Sequence, residues 1–369
     1  MARTREHTVR HEVADTETRP RVSVVVPMRN PAYGEGLVHR AQIFFDILIA
    51  FARRYGLSCE IVIVEWNPVA DAPRFRELLS WPGSLGPVTV RFIEVPAAVH
   101  DRLPNAQHIP FMNTRARNVG VRRARGTYIL VTGADVVPSG GLIRFITNTV
   151  LSERTFYRID RRDLSHRLPA RWSPRWQLAY CRCQDVTVHT YYGSIRECRR
   201  WHPSARRAIK ARHQAVLEEY RRHLDSPIYA GPTDAFGQDR LIIPADGLHR
   251  NGAGEFFLMH RDRWHELRGY TELSSRGHGD SLLCWTAASA GLDQVILGPP
   301  AYLFHQPHSR SAASQWPATD WRPWYARYLE CRRTVTALIT NAEDWGLRDA
   351  GLPEYTCDGR SCSSLDTAT

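Results

Sequence analysis

Three side chains in this 369-residue sequence could support metal binding or proton transfer: Asp135, Asp280 and His305. Carboxylate oxygens and imidazole nitrogens are ligands for divalent ions, so Asp135 and His305 form a candidate metal pair. A carboxylate can also take a proton from a hydroxyl group, which is the chemistry considered for Asp280. Structural interpretations compete with these. Either aspartate can cap a turn or a helix, and the histidine can be an ordinary surface residue.

Asp135 belongs to a segment, residues 113–138, that reads as a helix, a glycine turn and a buried strand. Asn113 can cap the helix and Gly126 can end it. The β-rich apolar run Thr127–Val131 is typical of a central strand, and it delivers Asp135 to the carboxyl end of that strand. Ligands bind at this edge of open α/β sheets, and the Arg-rich helix before the strand suits a metal-bound diphosphate.

Strands and helices alternate along the first part of the chain. Leu37–Tyr55, for example, has apolar residues at helical spacing. The alternation predicts an α/β fold with a mostly parallel sheet, flanked by helices and joined by right-handed crossovers. The predicted strands are Val22–Pro27, Glu60–Glu65, Val88–Val95 and Thr127–Val131.

Polar residues follow three of these strands. Because the carboxyl ends of parallel strands meet at one sheet edge, we expect the side chains to converge there. This convergence favours a functional interpretation of Asp135 over a cap. The residues are Arg29 and Asn30, Glu65 and Asn67, and Asp135.

Two glycine-rich polar loops mark the second half of the chain, Asn251–Met259 and Gly277–Asp280. Glycines let the backbone approach a ligand closely. A further motif, Phe304-His305-Gln306-Pro307-His308, follows an apolar strand. If it reaches the same sheet edge, one aspartate, one histidine and diphosphate oxygens would make a reasonable Mn²⁺ or Mg²⁺ shell.

Between these halves the sequence is rich in arginine, tryptophan and proline, and it includes a predicted basic helix, Ser204–Leu224. The helix is interpreted as a solvated basic face. The tryptophans are interpreted as core residues rather than sugar-stacking platforms: Trp172, Trp176 and Trp201. A zinc site is disfavoured because the candidate ligands match no standard CxxC pair. They are Cys181, Cys183, His189, Cys198 and His202.

The chain has a formal net charge of +11, but only one of its 49 basic residues, Lys210, is a lysine. Such a ratio suggests codon bias more than a selected chemistry. Without basic residues interleaved with aromatic ones, we predict no nucleic-acid partner. The sequence contains no run of about 18 apolar residues, so it predicts no membrane span. The polar N-terminus carries no signal sequence, so we predict a cytoplasmic protein whose 8 cysteines are reduced.

The predicted organisation has five parts, and their boundaries follow the changes in composition and periodicity. They are a disordered leader, 1–21; a nucleotide-sugar-binding half, 22–151; an inserted Arg/Trp-rich and helical region, 152–250; an acceptor-binding and catalytic half, 251–355; and a disordered tail, 356–369. The functional names of the two halves follow from the resemblance described next.

Several motifs together resemble the GT-A glycosyltransferases, in particular family 2 and a poorly characterised bacterial subgroup of it. The most specific match is Ala116-Arg117-Asn118-Val119-Gly120 with Ala124, Gly126, Tyr128 and Ile129. The first strand ends in Pro27-Met28-Arg29-Asn30 and the second in the acidic Glu65, as in that family. The Asp-x-Asp metal motif is reduced here to Gly133-Ala134-Asp135, which keeps only the second carboxylate.

The resemblance extends over roughly residues 22–355 and implies a GT-A fold and a hexosyltransferase-type activity, EC 2.4. The implied substrates are a nucleotide sugar, most simply a UDP-sugar, and a hydroxyl of a small-molecule, glycan or glycolipid acceptor. The implied cofactor is Mn²⁺ or Mg²⁺, held by Asp135 and His305. Similarity of the Trp66-Asn67-Pro68 turn to retaining exostosin-like enzymes leaves the stereochemical outcome open.

The resemblance also implies roles for individual residues. Asp280 would be the base that deprotonates the acceptor in an inverting enzyme, or would orient the acceptor in a retaining one. Glu255 and His278 would line the acceptor pocket. The implied nucleotide-sugar-binding residues are Pro27, Arg29, Glu65, Asn67, Arg117, Asn118, Ala134 and Asp135.

Two alternatives remain. A non-catalytic nucleotide- or carbohydrate-binding relative is favoured by the loss of a carboxylate at Gly133. A sugar-phosphate nucleotidyltransferase would share the sheet, but that class needs a glycine-rich phosphate loop after the first strand. The sequence there, Met28-Arg29-Asn30-Pro31, is not one.

Overall fold

The computed structural model describes most of the chain. The described residues are 19–29, 36–190, 193–197, 228–230, 242–244, 248–250, 252–273, 277–309, 319–359 and 361–365. The predicted helix Ser204–Leu224 lies outside these residues, as do most of the predicted leader and Asn30, Cys198, Trp201, His202 and Asn251.

The described strands and helices alternate in the first half, as the periodicity predicts. The strands are β1 (Val22–Met28), β2 (Cys59–Trp66), β3 (Val88–Val95), β4 (Tyr128–Thr132), β5 (Val136–Pro138), β6 (Thr155–Ile159), β7 (Arg161–Leu164), β8 (Val186–Thr190), β9 (Gly193–Glu197), β10 (Ile228–Ala230), β11 (Ile242–Pro244), β12 (Phe256–His260), β13 (Asp293–Leu297), β14 (Leu303–His305), β15 (Glu354–Cys357) and β16 (Cys362–Leu365). The helices are α1 (Leu37–Tyr55), α2 (Phe75–Leu78), α3 (Ala97–His100), α4 (Asn113–Arg123), α5 (Gly140–Asn148), α6 (Pro174–Cys183), α7 (Arg261–Glu266), α8 (Gly279–Ser289) and α9 (Arg322–Thr334).

A nine-stranded sheet in the order β13-β6-β12-β4-β1-β2-β3-β15-β16 forms the centre of the fold. Its central strands β4, β1, β2 and β3 are parallel, whereas β12 runs antiparallel between β4 and β6. β1 and β2 are buried along their whole length, as expected for strands covered on both faces. The predicted fold class, α/β with a mostly parallel sheet flanked by helices, is confirmed.

Alternate residues of β1 enter different hydrophobic cores. Val24 and Val26 belong to the core that includes α1 and α5, and Val25 belongs to the core that includes α4. Gly120 lets α4 approach the sheet closely, because a Cβ atom there would lie 2.4 Å from a methyl carbon of Val25. The arginine-bearing helix is thereby fixed against β1 and β2.

A second, five-stranded sheet in the order β5-β14-β7-β8-β9 begins where β4 ends. In it β14 pairs antiparallel with β5 and parallel with β7, which places His305 opposite Val136 on one side and Asp163 on the other. This register brings the C-terminal histidine motif beside the residue that follows Asp135. The contact spans about half of the chain and no local sequence signal encodes it.

The prediction of a disordered tail at 356–369 is corrected by strands that form within this segment. Residues of 356–369 contribute to β15, which pairs antiparallel with β3, and to β16, which pairs with β15; residues 366–369 lie outside the described part. Cys357 and Cys362 form a disulfide within this hairpin, so the prediction that all cysteines are reduced is wrong for this pair. The sheet therefore includes two further antiparallel strands, which the polar composition of this segment did not predict.

Candidate active site

Asp135 lies at the carboxyl end of β4, in the turn that leads into β5. Its side chain is buried, and its backbone carbonyl accepts a hydrogen bond from the N–H of Gln306 at 2.8 Å. Gln306 is itself buried and donates from Nε2 to the carbonyl of Arg40 in α1 at 3.0 Å. These bonds fix the chain after β14 against the turn that carries the carboxylate.

Two histidines from this C-terminal segment face the Asp135 carboxylate. Nε2 of His305 lies 3.5 Å from Oδ2 of Asp135, and Nε2 of His308 lies 3.2 Å from the same oxygen. One ligand atom from each of the three residues lies within 4.8 Å of the others. The predicted pair of Asp135 and His305 is thus brought together, and His308 joins it as a third donor that the sequence did not assign.

The electrostatics favour the charged forms of Asp135 and His305. Burial acts to raise the pKa of Asp135, but hydrogen bonds and charge attraction from His305 and His308 outweigh it and hold that pKa well below its usual range. Burial acts to lower the pKa of His305, but Asp135 and Asp163 raise it to about 9. A divalent ion would have to displace the proton that His305 carries at neutral pH, so its binding should strengthen as pH rises.

Asp163 supports His305 from the side opposite Asp135. Oδ1 of Asp163 lies 3.3 Å from Nδ1 of His305, while Oδ2 contacts Nε2 of His189 at 2.8 Å. Arg161 completes the group, with Nε 2.8 Å from Oδ1 of Asp163. A carboxylate on one imidazole nitrogen orients the other nitrogen, as in many metal sites. The sequence predicts no role for Asp163, because its proximity to His305 comes only from the pairing of β7 with β14.

Replacing Asp163 with asparagine should weaken Mn²⁺ binding about 10- to 100-fold, because His305 would lose the charge that orients and polarises its ring. Isothermal titration with Mn²⁺ measures this directly, without a turnover assay. Asp160 provides a matched control, since its Oδ1 contacts Nε2 of His249 at 2.7 Å in a similar pair that does not include the cluster. Equal affinity in the Asp163→Asn and Asp160→Asn variants would contradict the positioning role.

The donor set fits a divalent ion. One carboxylate and two imidazoles suit Mn²⁺ and other first-row ions better than Ca²⁺, which prefers oxygen ligands. Gly133 stands at the position of the first carboxylate of the Asp-x-Asp motif, and the structure leaves little room for a side chain there. A Cβ atom at Gly133 would lie 2.7 Å from Oδ1 of Asp135 and 3.1 Å from Cγ of Glu255. A side chain at position 133 would thus crowd Asp135, and the third possible ligand beside Asp135 and His305 is His308.

A cleft opens beside the Asp135 carboxylate, over the ends of β1 and β4. Six residues predicted to bind the nucleotide sugar or the acceptor lie in its wall. The lining residues are Pro27, Met28, Arg29, Leu37, Phe111, Asn113, Arg117, Thr132, Gly133, Ala134, Asp135 and Glu255. The cleft therefore joins the end of β1, the start of α4 and the turn formed by residues 133–135, called the metal-motif turn below, in one wall.

Two arginines supply positive charge to this cleft. Arg29 donates from Nε to the carbonyl of Asn67 at 3.0 Å, and burial lowers its pKa. The guanidinium of Arg117 lies over the ring of Tyr270 at 5.0 Å, and its side chain is buried. Both side chains are therefore held in place before any ligand arrives, which lowers the entropy lost on binding an anion.

Two of the residues predicted to bind the nucleotide sugar, Asn118 and Glu65, are buried and form hydrogen bonds within the fold. The side chain of Asn118 is 0% exposed; it accepts from the N–H of Tyr270 and donates to the carbonyl of Tyr270 and to Glu272. The carboxylate of Glu65 is also buried and accepts from the N–H of Phe75 at the start of α2. Neither lines the cleft. Asn67 contributes its carbonyl to Arg29, and its amide donates to the carbonyl of Pro110.

Ionisation of Glu65 makes the free energy of unfolding depend on pH. Burial raises its pKa from 4.5 to about 7, although the N–H of Phe75 acts in the opposite direction. Between pH 4.5 and about pH 7, the Glu65 carboxyl group is ionised in the unfolded chain but still protonated in the folded chain. The free energy of unfolding therefore falls as pH rises through this window. With about 1.4 kcal/mol for each pKa unit, the loss is roughly 3 kcal/mol.

The variant Glu65→Gln should avoid this loss while keeping an acceptor for the Phe75 N–H. Its free energy of unfolding relative to the native sequence should rise by roughly 3 kcal/mol between pH 4.5 and pH 7. Urea titrations at closely spaced pH values measure this difference, in which other titrating groups cancel. A difference that stays constant across the window would contradict the assignment.

Asp280 lies in the first turn of α8. Its side chain is 24% exposed, and Oδ2 lies 3.4 Å from Nη2 of Arg158, which is fully buried and also donates to the carbonyl of Gly252. The loop before β12 connects this aspartate with the metal-motif turn. A Cβ atom at Gly254 would lie 3.4 Å from Asp280 Oδ2, and the next residue, Glu255, packs against Gly133.

Glu255 directly precedes β12 and lies against Gly133. β12 pairs with β4 so that Phe256 lies opposite Thr132, and Oγ1 of Thr132 donates to the carbonyl of Glu255 at 2.7 Å. Arg161 lies 3.4 Å from the Glu255 carboxylate. His278 is the N-cap residue before α8 and has a left-handed backbone conformation, and burial lowers its pKa.

The other sequence interpretations have mixed outcomes. Trp172 and Trp176 are exposed, so the interpretation of these two as core residues is wrong. His189 contacts Asp163 and Ser194, and Cys181 is buried. No helix among the described residues has the length and apolar character needed to cross a membrane.

Comparisons with known proteins give structural similarity only. No protein-family profile and no curated protein matches the sequence. GalNAc-T7, in a crystal structure with UDP, GalNAc and Mn²⁺, is 14% identical with a TM-score of 0.40, and the match covers 85% of this chain and 48% of that one. TarS 1–349 from S. aureus, in complex with UDP-GlcNAc, is 10% identical with a TM-score of 0.40, covering 88% and 69%. The chain thus spans about half of the GalNAc-T7 chain.

Proposed function

We propose that this protein is a glycosyltransferase of the hexosyltransferase type. It would move a sugar from a nucleotide sugar, most simply a UDP-sugar, to a hydroxyl of a small-molecule, glycan or glycolipid acceptor. One observation carries the proposal: Asp135, His305 and His308 converge beside a cleft that also contains Arg29 and Arg117. A metal-ligand cluster next to two fixed guanidinium groups at the carboxyl ends of parallel strands suits a diphosphate.

The donor side of the mechanism follows from these residues. Arg29 and Arg117 would bind the diphosphate oxygens through charge-assisted hydrogen bonds. Asp135, His305 and His308 would hold Mn²⁺ or Mg²⁺, with Asp163 orienting the His305 ring. When bound, the ion acts as a Lewis acid that stabilises the charge developing on the leaving diphosphate. Pro27 and Ala134 would shape the wall against which the nucleotide sugar lies.

The acceptor side falls to Glu255, His278 and Asp280. Glu255 lies between the metal-motif turn and Asp280 and would line the acceptor pocket. In an inverting enzyme Asp280 would accept the proton of the attacking hydroxyl, whereas in a retaining enzyme it would orient the acceptor. Its carboxylate oxygen Oδ2 lies 3.4 Å from Nη2 of the buried Arg158, which limits the orientations of the Asp280 side chain.

Gly133 supports one alternative, a nucleotide- or carbohydrate-binding relative without catalytic activity. Such a protein would bind the nucleotide through the arginines but would not cleave the donor. The nucleotidyltransferase alternative has weaker support, because the sequence after β1 begins with Arg29-Asn30-Pro31 rather than with glycines.

A thermal-shift screen with UDP, GDP and dTDP, each with and without Mn²⁺, tests the proposal. We expect one nucleotide to raise the melting temperature, and to do so strongly only with Mn²⁺. Hydrolysis of the matching nucleotide sugar in the same buffer then separates the enzyme from the binding protein. Stabilisation that is independent of the metal, without any hydrolysis, would favour the non-catalytic alternative.

A further inference from the structure

A groove of about 800 Å³, separate from the candidate active site, lies between α1, α5 and α6. Its floor includes Phe51 and Tyr55 of α1, which stack with ring centroids 5.9 Å apart, together with Leu178 of α6 and Pro300. Gly141 allows the close approach that forms this floor, because a Cβ atom there would lie 2.3 Å from the carbonyl oxygen of Pro300. We call this feature the arginine groove.

The charged residues that line the arginine groove are all arginines: Arg54, Arg144, Arg175 and Arg182. All four are exposed, and none makes an ion pair with a carboxylate in the described part of the chain. Arg175 and Arg182 are seven residues apart in α6, so they lie on the same face of that helix. The groove thus presents four positive charges from three helices, which an anionic partner would neutralise.

Solvent-exposed apolar side chains, here called the apolar border, lie on α6, just before α6, just after α5 and in β13, outside the groove lining itself. Trp176 of α6 is 65% exposed, and Trp172 also has much of its surface open. A second, smaller depression shares Gly141, Arg144 and Pro300 with the groove and is lined by the exposed Ile296. Val150, just beyond α5, is 95% exposed. Exposed tryptophans and aliphatic residues on and next to the helices that carry these arginines are unfavourable in water and are typical of an interaction surface.

We propose that the arginine groove and its apolar border form a docking surface for a bilayer that contains anionic lipids. Arginine side chains bind lipid phosphates as bidentate donors, and tryptophan rings are stable at the boundary between headgroups and acyl chains. A soluble anion would account for the arginines, but it would leave the apolar border without a partner. The contact is peripheral: it needs charge attraction and shallow insertion of side chains, and it does not depend on the proposed activity.

Flotation with vesicles tests the proposal. The full chain should float with vesicles of phosphatidylcholine and phosphatidylglycerol but not with vesicles of phosphatidylcholine alone. Replacing both arginines of α6, Arg175→Gln with Arg182→Gln, should reduce the partition coefficient roughly 25-fold, since each cation near an anionic surface contributes about fivefold. Trp176→Ala should also weaken binding, at unchanged charge.

A matched control separates the groove from overall charge. The double variant Arg327→Gln and Arg348→Gln removes two exposed arginines that do not line the groove. It should partition as the native protein does, and Asp135→Asn should do so too, which keeps this result independent of the active site. Three results would overturn the proposal. The first is failure of the native chain to float with anionic vesicles, and the second is an equal loss of vesicle binding in both double variants. The third is full displacement from the vesicles by millimolar inorganic phosphate, together with unchanged vesicle binding of Trp176→Ala.

Discussion

Replacing Asp135 with asparagine should reduce hydrolysis and transfer of the nucleotide sugar by at least about 1,000-fold and remove the Mn²⁺-dependent part of nucleotide binding. The amide keeps the size of the side chain but removes the charge that faces both His305 and His308. Loss of a metal ligand removes several kcal/mol of transition-state stabilisation, and about 4 kcal/mol corresponds to a factor of about 1,000. Steady-state hydrolysis and a thermal-shift titration with Mn²⁺ measure the two effects.

Two further variants define the cause of this loss. Asp349→Asn, at an exposed aspartate, should leave activity and Mn²⁺ dependence unchanged. His308→Gln should weaken Mn²⁺ binding while leaving nucleotide binding without metal intact, because His308 is a donor of the cluster and does not line the cleft. If Asp135→Asn bound nucleotide with the same Mn²⁺ dependence as the native protein, the metal assignment would fail.

Asp280→Asn should reduce sugar transfer to the acceptor by about 100- to 10,000-fold, the range typical for loss of a general base. Hydrolysis of the donor by water should fall much less, because the donor-side residues remain in place. The ratio of the two rates, measured on one enzyme preparation, therefore isolates the acceptor step. Retention of near-native transfer would exclude Asp280 as the base.

The contact with Arg158 offers a second explanation for any loss in this variant. Arg158 is fully buried, so removing its partner charge could destabilise the protein by up to about 3–5 kcal/mol, less here because Asp280 is partly exposed. Urea unfolding of Asp280→Asn measures that cost. A folded variant with unchanged donor hydrolysis but slow transfer would identify a catalytic role, whereas parallel losses of both rates and of stability would identify a counter-ion.

The first half of the fold was largely predictable because its information is local. Short β-branched runs identify β1 to β4, and the apolar spacing of Leu37–Tyr55 identifies α1. Parallel strands then require polar residues at their carboxyl ends to share an edge, which placed Arg29 and Asp135 in one cleft. Glu65 and Asn118 are buried outside the lining of this cleft, because residue type and position at a strand end or in a helix do not reveal whether a side chain turns into the fold.

Other features were not predictable because they depend on pairing between distant segments. The hairpin of β15 and β16 pairs with β3 from the far end of the chain, where composition indicated only a polar tail. The exposed Trp172 and Trp176 show the same limit, since tryptophans are most often buried and only the packing of α6 leaves these open.

The sequence by itself determined the α/β architecture, the strand that carries Asp135, and the candidacy of His305 as its partner. Only the tertiary structure decided that His308 completes the cluster, that Asp163 supports it, and that Gly133 lies where a side chain would crowd Asp135. The physical reason is that periodicity and turn chemistry act over a few residues. The register of β14 between β5 and β7, in contrast, depends on packing between segments more than 100 residues apart.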